Sequence, residues 1–163
     1  MKAKRGFTLV EILIVVVILG ILAAIVVPQF TQASTEAKYN SLCSNLQSIR
    51  SQIELYKVQH NDVPPGNTVA ADGTVTAAIA EFDDQMTETS TILGIASGTK
   101  ERDTAAGEIY GPYLERIPDN PFNNENGVAA AAAAGVGWTY DVTTGEIAAA
   151  DGGTTNGVAH ADL

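Results

Sequence analysis

A run of 21 residues from Phe7 to Val27 is broken in polarity only by Thr8 and Glu11. Coiled as a helix it would be about 31 Å long, the thickness of a bilayer's hydrocarbon core. A secretory signal peptide has a shorter apolar stretch and a small-residue cleavage site after it, so this run is an anchor rather than a signal peptide. Lys2, Lys4 and Arg5 stand directly before it, and the charges that follow (Glu36, Lys38, Arg50, Glu54) are nearly balanced. The positive-inside rule then places the N-terminus in the cytoplasm and everything beyond Pro28 across the inner membrane, on its periplasmic side. Glu11 does not fit an ordinary anchor. A carboxylate at the bilayer centre costs about 2.5–3.5 kcal/mol or more, less toward the interface, and such charges persist when they have a cationic partner. The plainer alternative is an interfacial carboxylate that snorkels to water.

Arg5-Gly6-Phe7-Thr8-Leu9-Val10-Glu11, followed by the apolar run and by Pro28-Gln29-Phe30, resembles the processing site of the type IV pilin and pseudopilin family. The resemblance covers about the first sixty residues. It implies that a prepilin peptidase cuts after Gly6 and methylates the new amine of Phe7. It also implies that Glu11, with Thr8 and Pro28 in the same motif, serves assembly. Phe7 and Glu11 are four residues apart, so amine and carboxylate fall on one helix face. A carboxylate is also favoured at a helix start. Between stacked copies, the Glu11 carboxylate of one subunit would meet the Phe7 amine of its neighbour. The partners implied are further copies of the chain joined through their N-terminal helices, the prepilin peptidase, an inner-membrane assembly platform, minor pilins, and membrane lipid before assembly.

The expected organisation is a leader over 1–6, a transmembrane and assembly helix over 7–27, an amphipathic continuation over 28–60 and a soluble head over 61–163. Pro28 removes a helical hydrogen bond and crowds the preceding turn, which predicts a kink or local melting near Gly20–Pro28. Beyond it Tyr39, Leu42, Leu46, Ile49, Ile53 and Tyr56 follow at intervals of three and four, an apolar stripe on a helix from about Thr31 to Gln59. Asn61-Asp62-Val63-Pro64-Pro65-Gly66 ends that helix. In the head, Ile79, Phe82 and Met86 predict a short helix within Thr76–Thr89, and Ala96–Gly107 reads as a polar surface loop. Trp138–Val142 and Glu146–Ala150 flank a Gly-containing turn, which predicts a β-hairpin. Ala129–Ala134 reads as a loop or strand flank, and Asp151–Leu163 as a frayed tail. The fold class is therefore α+β and pilin-like: one long N-terminal helix and a small antiparallel β-sheet head.

Composition narrows the function. The formal charge is −10, and loss of the leader leaves six of the nine basic side chains against nineteen acidic ones, a formal −13. Such a chain repels phosphate backbones, so nucleic acid is excluded as a partner by charge. The single cysteine, Cys43, forbids an internal disulfide and is expected to be a small buried residue. His60 and His160 lie far apart in sequence and suggest no metal or catalytic constellation.

The order Gly111-Pro112-Tyr113-Leu114, Ile117-Pro118, Asn120-Pro121-Phe122, then an aromatic hairpin, is similar to the major pseudopilins of type II secretion. Those proteins carry a Trp-Gly after the second proline and an acidic calcium loop near the C-terminus, whereas this chain has Phe122-Asn123-Asn124 and a Thr-Gly-Glu-Ile turn. Calcium would have to draw on Asp119, Asn123, Glu125 or Asp141, whose spacing is unlike an EF-hand; polar turns are the favoured reading, with no cofactor. The chain is thus expected to be a non-enzymatic subunit of a pilus-like or pseudopilus filament. The alternative is a membrane-anchored periplasmic binding module or enzyme, which would need a convergent set of catalytic groups in the head. A tip or initiator subunit is a third reading, weakened by the presence of Glu11.

Overall fold

The computed structural model describes residues 7–163. The leader and its Gly6 lie outside the described residues. The chain divides into two units, one ending at Ala37 and one starting at Lys38, and a single helix, α1 (Leu9–Gln59), contributes to both.

In the first unit α1 runs without a break through Gly20 and Pro28. The local melting expected there does not occur. Helical φ lies close to the value proline imposes, so long flanking helix accommodates the ring at the cost of one hydrogen bond. The hydroxyl of Thr31 donates to the Val27 carbonyl at 3.3 Å, and that of Thr35 to Thr31 at 3.1 Å. Apolar side chains project all round this part of the helix, and its most apolar window is wholly exposed. A helix that is greasy on every face requires lipid or other helices around it. Among the described residues it is the one helix long and apolar enough to cross a membrane.

In the second unit the stripe on α1 is the floor of the core. Leu42, Leu46, Ile49, Ile53 and Tyr56 are buried against Phe82, Met86, Ile117, Trp138, Tyr140, Ile147 and Ala149. Tyr39, at the start of the stripe, is half-buried, as is Cys43, which was expected to be buried. A hairpin follows the helix: β1 (Asn67–Val69) pairs antiparallel with β2 (Val75–Ala77) around an Asp72-Gly73 turn in which Gly73 has φ 85°. The expected helix over Thr76–Thr89 is correspondingly shorter. Val75–Ala77 is drawn into the hairpin, Ile79–Glu81 forms a 3₁₀ turn, and only α2 (Phe82–Thr87) is α-helical.

A three-stranded sheet covers the stripe. β4 (Val136–Tyr140) is its centre, with β5 (Ile147–Ala149) antiparallel on one side, as the hairpin pattern predicts. On the other side β3 (Gly127–Ala129) runs parallel to β4, joined by the alanine-rich loop. Glycine permits this close return: a side chain at Gly137 would collide with the Glu125 carbonyl, and one at Gly127 with that of Gly135. Trp138 is fully buried and its indole N–H donates to the Pro118 carbonyl at 2.8 Å, so its one polar atom is satisfied. The last thirteen residues are ordered rather than frayed. They form a small hairpin, β6 (Thr154–Thr155) and β7 (Val158–Ala159), and a 3₁₀ turn over His160–Asp162.

Candidate assembly site at the start of the helix

Thr8 precedes the first helical residue and Glu11 lies three positions on. The Glu11 amide donates to the Thr8 hydroxyl at 3.2 Å, and the Thr8 amide donates to a Glu11 carboxylate oxygen at 3.4 Å. This reciprocal pair is a capping box, which satisfies two of the amides that a helix start leaves without partners. Ile12 N–H bonds the Thr8 carbonyl at 3.3 Å and closes the first turn. The carboxylate therefore sits at the positive end of the helix dipole and accepts from its own backbone. Around it Phe7, Leu9 and Val10 are exposed, at 78%, 83% and 61% of their surface. Phe7, Thr8 and Glu11 are thus gathered in one turn. Pro28 is about 25 Å further along the helix and belongs to a different part of it.

The sequence-based calcium candidates are engaged in local structure. The Asn123 side chain donates to the Val136 carbonyl and accepts from the Glu125 amide, both at 3.0 Å. Asp119 faces Arg116 at 3.4 Å. Asp141 accepts from the Thr143 and Thr144 amides in the β4–β5 turn, and the Thr143 amide holds its carboxyl below the usual range. Asn123 and Glu125 share one turn, whereas Asp141 belongs to another. Among the described residues no group of three or more His, Cys, Asp or Glu side chains is placed to hold a metal ion.

One constellation escaped the sequence reading. His160 Nδ1 lies 2.7 Å from Asp151 Oδ2, and its Nε2 lies 2.8 Å from the Thr155 hydroxyl. A carboxylate, an imidazole and a hydroxyl in this order have the connectivity of a nucleophilic relay. All three are closed in, however: Thr155 and His160 are buried, the Asp151 side chain is 4% exposed, and Phe122 packs on the imidazole at 4.2 Å. The cluster fastens the C-terminal hairpin. The Asn156-Gly157 dipeptide was a local signal for the hairpin turn itself, though not for the side chains that the hairpin brings together.

A bare apolar helix opening on one capped carboxylate, followed in the chain by a folded head, defines a class: subunits that polymerise by packing their N-terminal helices. Known proteins specify it further. The family model described as the prokaryotic N-terminal methylation motif matches residues 1–27. A type II secretion system core protein G of Aeromonas hydrophila is 35% identical over 127 residues, 76% of this chain and 71% of that protein. The protein of the same name from Klebsiella pneumoniae is 26% identical over 125 residues, 77% of this chain and 74% of its own length. The type IV narrow pilus major component PilA5 of Thermus thermophilus is 39% identical over 71 residues, covering 44% of this chain and 60% of that one. No solved structure matches significantly. The chain belongs to the type IV pilin and pseudopilin family; it is a filament subunit and not an enzyme.

Proposed function

We propose that the chain is a body subunit of a type II secretion pseudopilus, stored in the inner membrane with its N-terminus in the cytoplasm and its head in the periplasm. Prepilin peptidase hydrolyses the Gly6–Phe7 bond, which removes three cations and leaves an ammonium on Phe7 that is then methylated. In the stored subunit the capping box supplies Glu11 with a backbone donor, so the carboxylate tolerates its apolar surroundings. On assembly the Glu11 carboxylate meets the Phe7 ammonium of a neighbouring copy inside a core of apolar helices, and the pair fixes the axial register as buried polar pairs do in coiled coils. The inner-membrane platform and minor pilins are the machinery that brings the copies together. The observation that carries this reading is the capped Glu11 at the start of a helix with no apolar cover of its own. The matches to two core G proteins over most of their length support the pseudopilus.

Mass spectrometry of the chain recovered from membranes tests the processing step. A chain starting at methylated Phe7 is expected, and one starting at Met1 in cells that own the peptidase contradicts it. The match to PilA5 favours a second reading, a thin type IV pilus. Deletion of the gene separates the two. Loss of protein secretion with no change in surface filaments fits the pseudopilus, and loss of surface filaments with normal secretion fits the pilus.

A further inference from the structure

The segment from Thr89 to Tyr110 leaves the core beside α2 and returns to the place where it left. Its ends are joined: Ser90 N–H donates to the Tyr110 carbonyl at 3.0 Å, and Tyr110 N–H to the Ser90 carbonyl at 3.2 Å. Just past this neck Gly111, at φ 69°, lies so close to the Glu88 carbonyl that a side chain there would collide with it. Internal bonds give the loop its own shape. Thr89 N–H donates to the Thr99 carbonyl and Ser97 N–H to the Thr89 carbonyl, both at 2.9 Å. Its ties to the rest of the head are polar and separate. The Gln85 side chain donates to the Gly94 carbonyl at 2.6 Å, Val69 N–H to the Leu93 carbonyl at 3.3 Å, and Lys100 to the Glu115 carbonyl at 2.6 Å. A loop closed at its neck and held mainly by polar bonds is a unit that can open without the core.

His60 lies under the neck, and it and Ser90 are both buried. Its Nδ1 is 2.9 Å from the Tyr56 carbonyl, which can only accept, so the proton of the neutral ring is on Nδ1. Nε2 is then an acceptor for the Ser90 hydroxyl at 3.1 Å. Phenol rings wall it in: Tyr56 from α1 at 3.8 Å, Tyr110 from the loop at 5.2 Å and Tyr113 from the segment after it at 6.2 Å. These phenols stay neutral between pH 5 and 8. Arg102 lies beside Tyr113 and, as a cation, disfavours a second positive charge. On the helix side Lys57 pairs with the exposed Glu54, and Asp62 is exposed. Among the described residues no carboxylate is within ion-pair distance of His60. A proton added at Nε2 therefore puts an unpaired charge in an enclosed site. It also turns the acceptor of the Ser90 bond into a donor, and the hydroxyl must give up its bond to the ring. The Tyr56 and Thr91 backbone oppose this only in part, and burial holds the pKa below its ordinary value.

We propose that His60 is an acid-sensitive latch, and that its protonation opens the loop Thr89–Tyr110 at the neck while α1 and the three-stranded sheet stay folded. With the loop open the imidazole meets water and takes up a proton at the ordinary histidine value, near 6.5. With the loop closed it resists that proton. The open form therefore binds protons more tightly. Closure is at full strength above the ordinary value and weakens as pH falls through it, by up to tenfold in the opening equilibrium for each unit. The latch depends on the folded head alone and stands whether the chain builds a pseudopilus or a pilus.

Amide hydrogen exchange of the full chain in detergent micelles, at pH 7.5 and 5.5 and corrected for the intrinsic pH dependence of exchange, tests the latch. The amides of Ser90, Thr91 and Tyr110 should exchange about tenfold faster at pH 5.5, with those of Leu42–Tyr56 and of β4 unchanged. In His60→Asn, which keeps a polar side chain but cannot titrate, loop exchange should be the same at both pH values. A second measurement needs no variant: the His60 ring, followed by NMR in the unaltered chain, should titrate with the same midpoint as the loop's exchange. Loop exchange that ignores pH, equal acceleration in the core, a pH dependence that survives in His60→Asn, or two separate midpoints would each overturn the proposal.

Discussion

His60 shows how one side chain couples the end of α1 to the loop it supports. Its Nδ1–H donates to the Tyr56 carbonyl at 2.9 Å, which leaves Nε2 to accept from the Ser90 hydroxyl. The ring stacks on Tyr56 with centroids 3.8 Å apart. Burial lowers its pKa, and backbone contacts with Tyr56 and Thr91 only partly oppose that. The folded protein therefore holds His60 neutral where the unfolded chain would protonate it. Stability is complete above the ordinary histidine value, near 6.5, and is lost as pH falls below it. Thermal unfolding at pH 5.5 should come at a lower temperature than at pH 7.5, and His60→Asn should reduce that difference; an unchanged difference would remove His60 as its source. His160→Ala leaves Asp151 buried without its partner and should cost about 3 kcal/mol in denaturant unfolding, with faster amide exchange over Thr154–Ala159. This pair was not legible in the sequence. Strands of two residues are too short to show alternation, and nothing local announces that a histidine nine positions away will return to Asp151.

Long periodic elements were legible. The spacing from Tyr39 to Tyr56 repeats often enough to define one helix face, and the structure buries the five positions from Leu42 to Tyr56. Trp138 and Tyr140 alternate with Thr139 and so placed β4 with its inward side chains. Trp138→Ala should therefore destabilise the head by about 3–5 kcal/mol, measured by denaturant titration. The helix expected over Thr76–Thr89 was too long because Ile79, Phe82 and Met86 fit a helical period while the pairing of Asn67 with Ala77 claimed the residues before them. The Asp72-Gly73 turn was the overlooked competitor. At the other end of α1 the capping box was present in the sequence as Thr8-Leu9-Val10-Glu11, although only the structure shows the two bonds being made. Thr8→Ala removes one of them and should lower filament yield with the Glu11 carboxylate intact. Thr8→Ser should restore it, and equal yields from both variants would show that the cap plays no part in assembly.

For the molecule as a whole, an acidic head and an uncovered apolar helix set opposing terms. Helix burial favours the polymer, and charge repulsion between heads opposes it. Exposed charges are screened within about 8–10 Å at 0.1–0.15 M salt, so filaments in sheared or detergent-free preparations should be recovered in higher yield as ionic strength rises. A fall in yield with added salt would point instead to ion pairs between heads. In the proposed filament, the Glu11 carboxylate is the charged group that the apolar core has to accommodate. Its role is tested most directly by imaging filaments, in the electron microscope, from cells that hold the complete assembly machinery and express the unaltered chain, Glu11→Ala or Glu11→Gln. The account predicts filaments from the unaltered chain and few or none from the two variants, which remain processed at Phe7 and retained in the membrane. Filaments of normal number and length from both variants would contradict it.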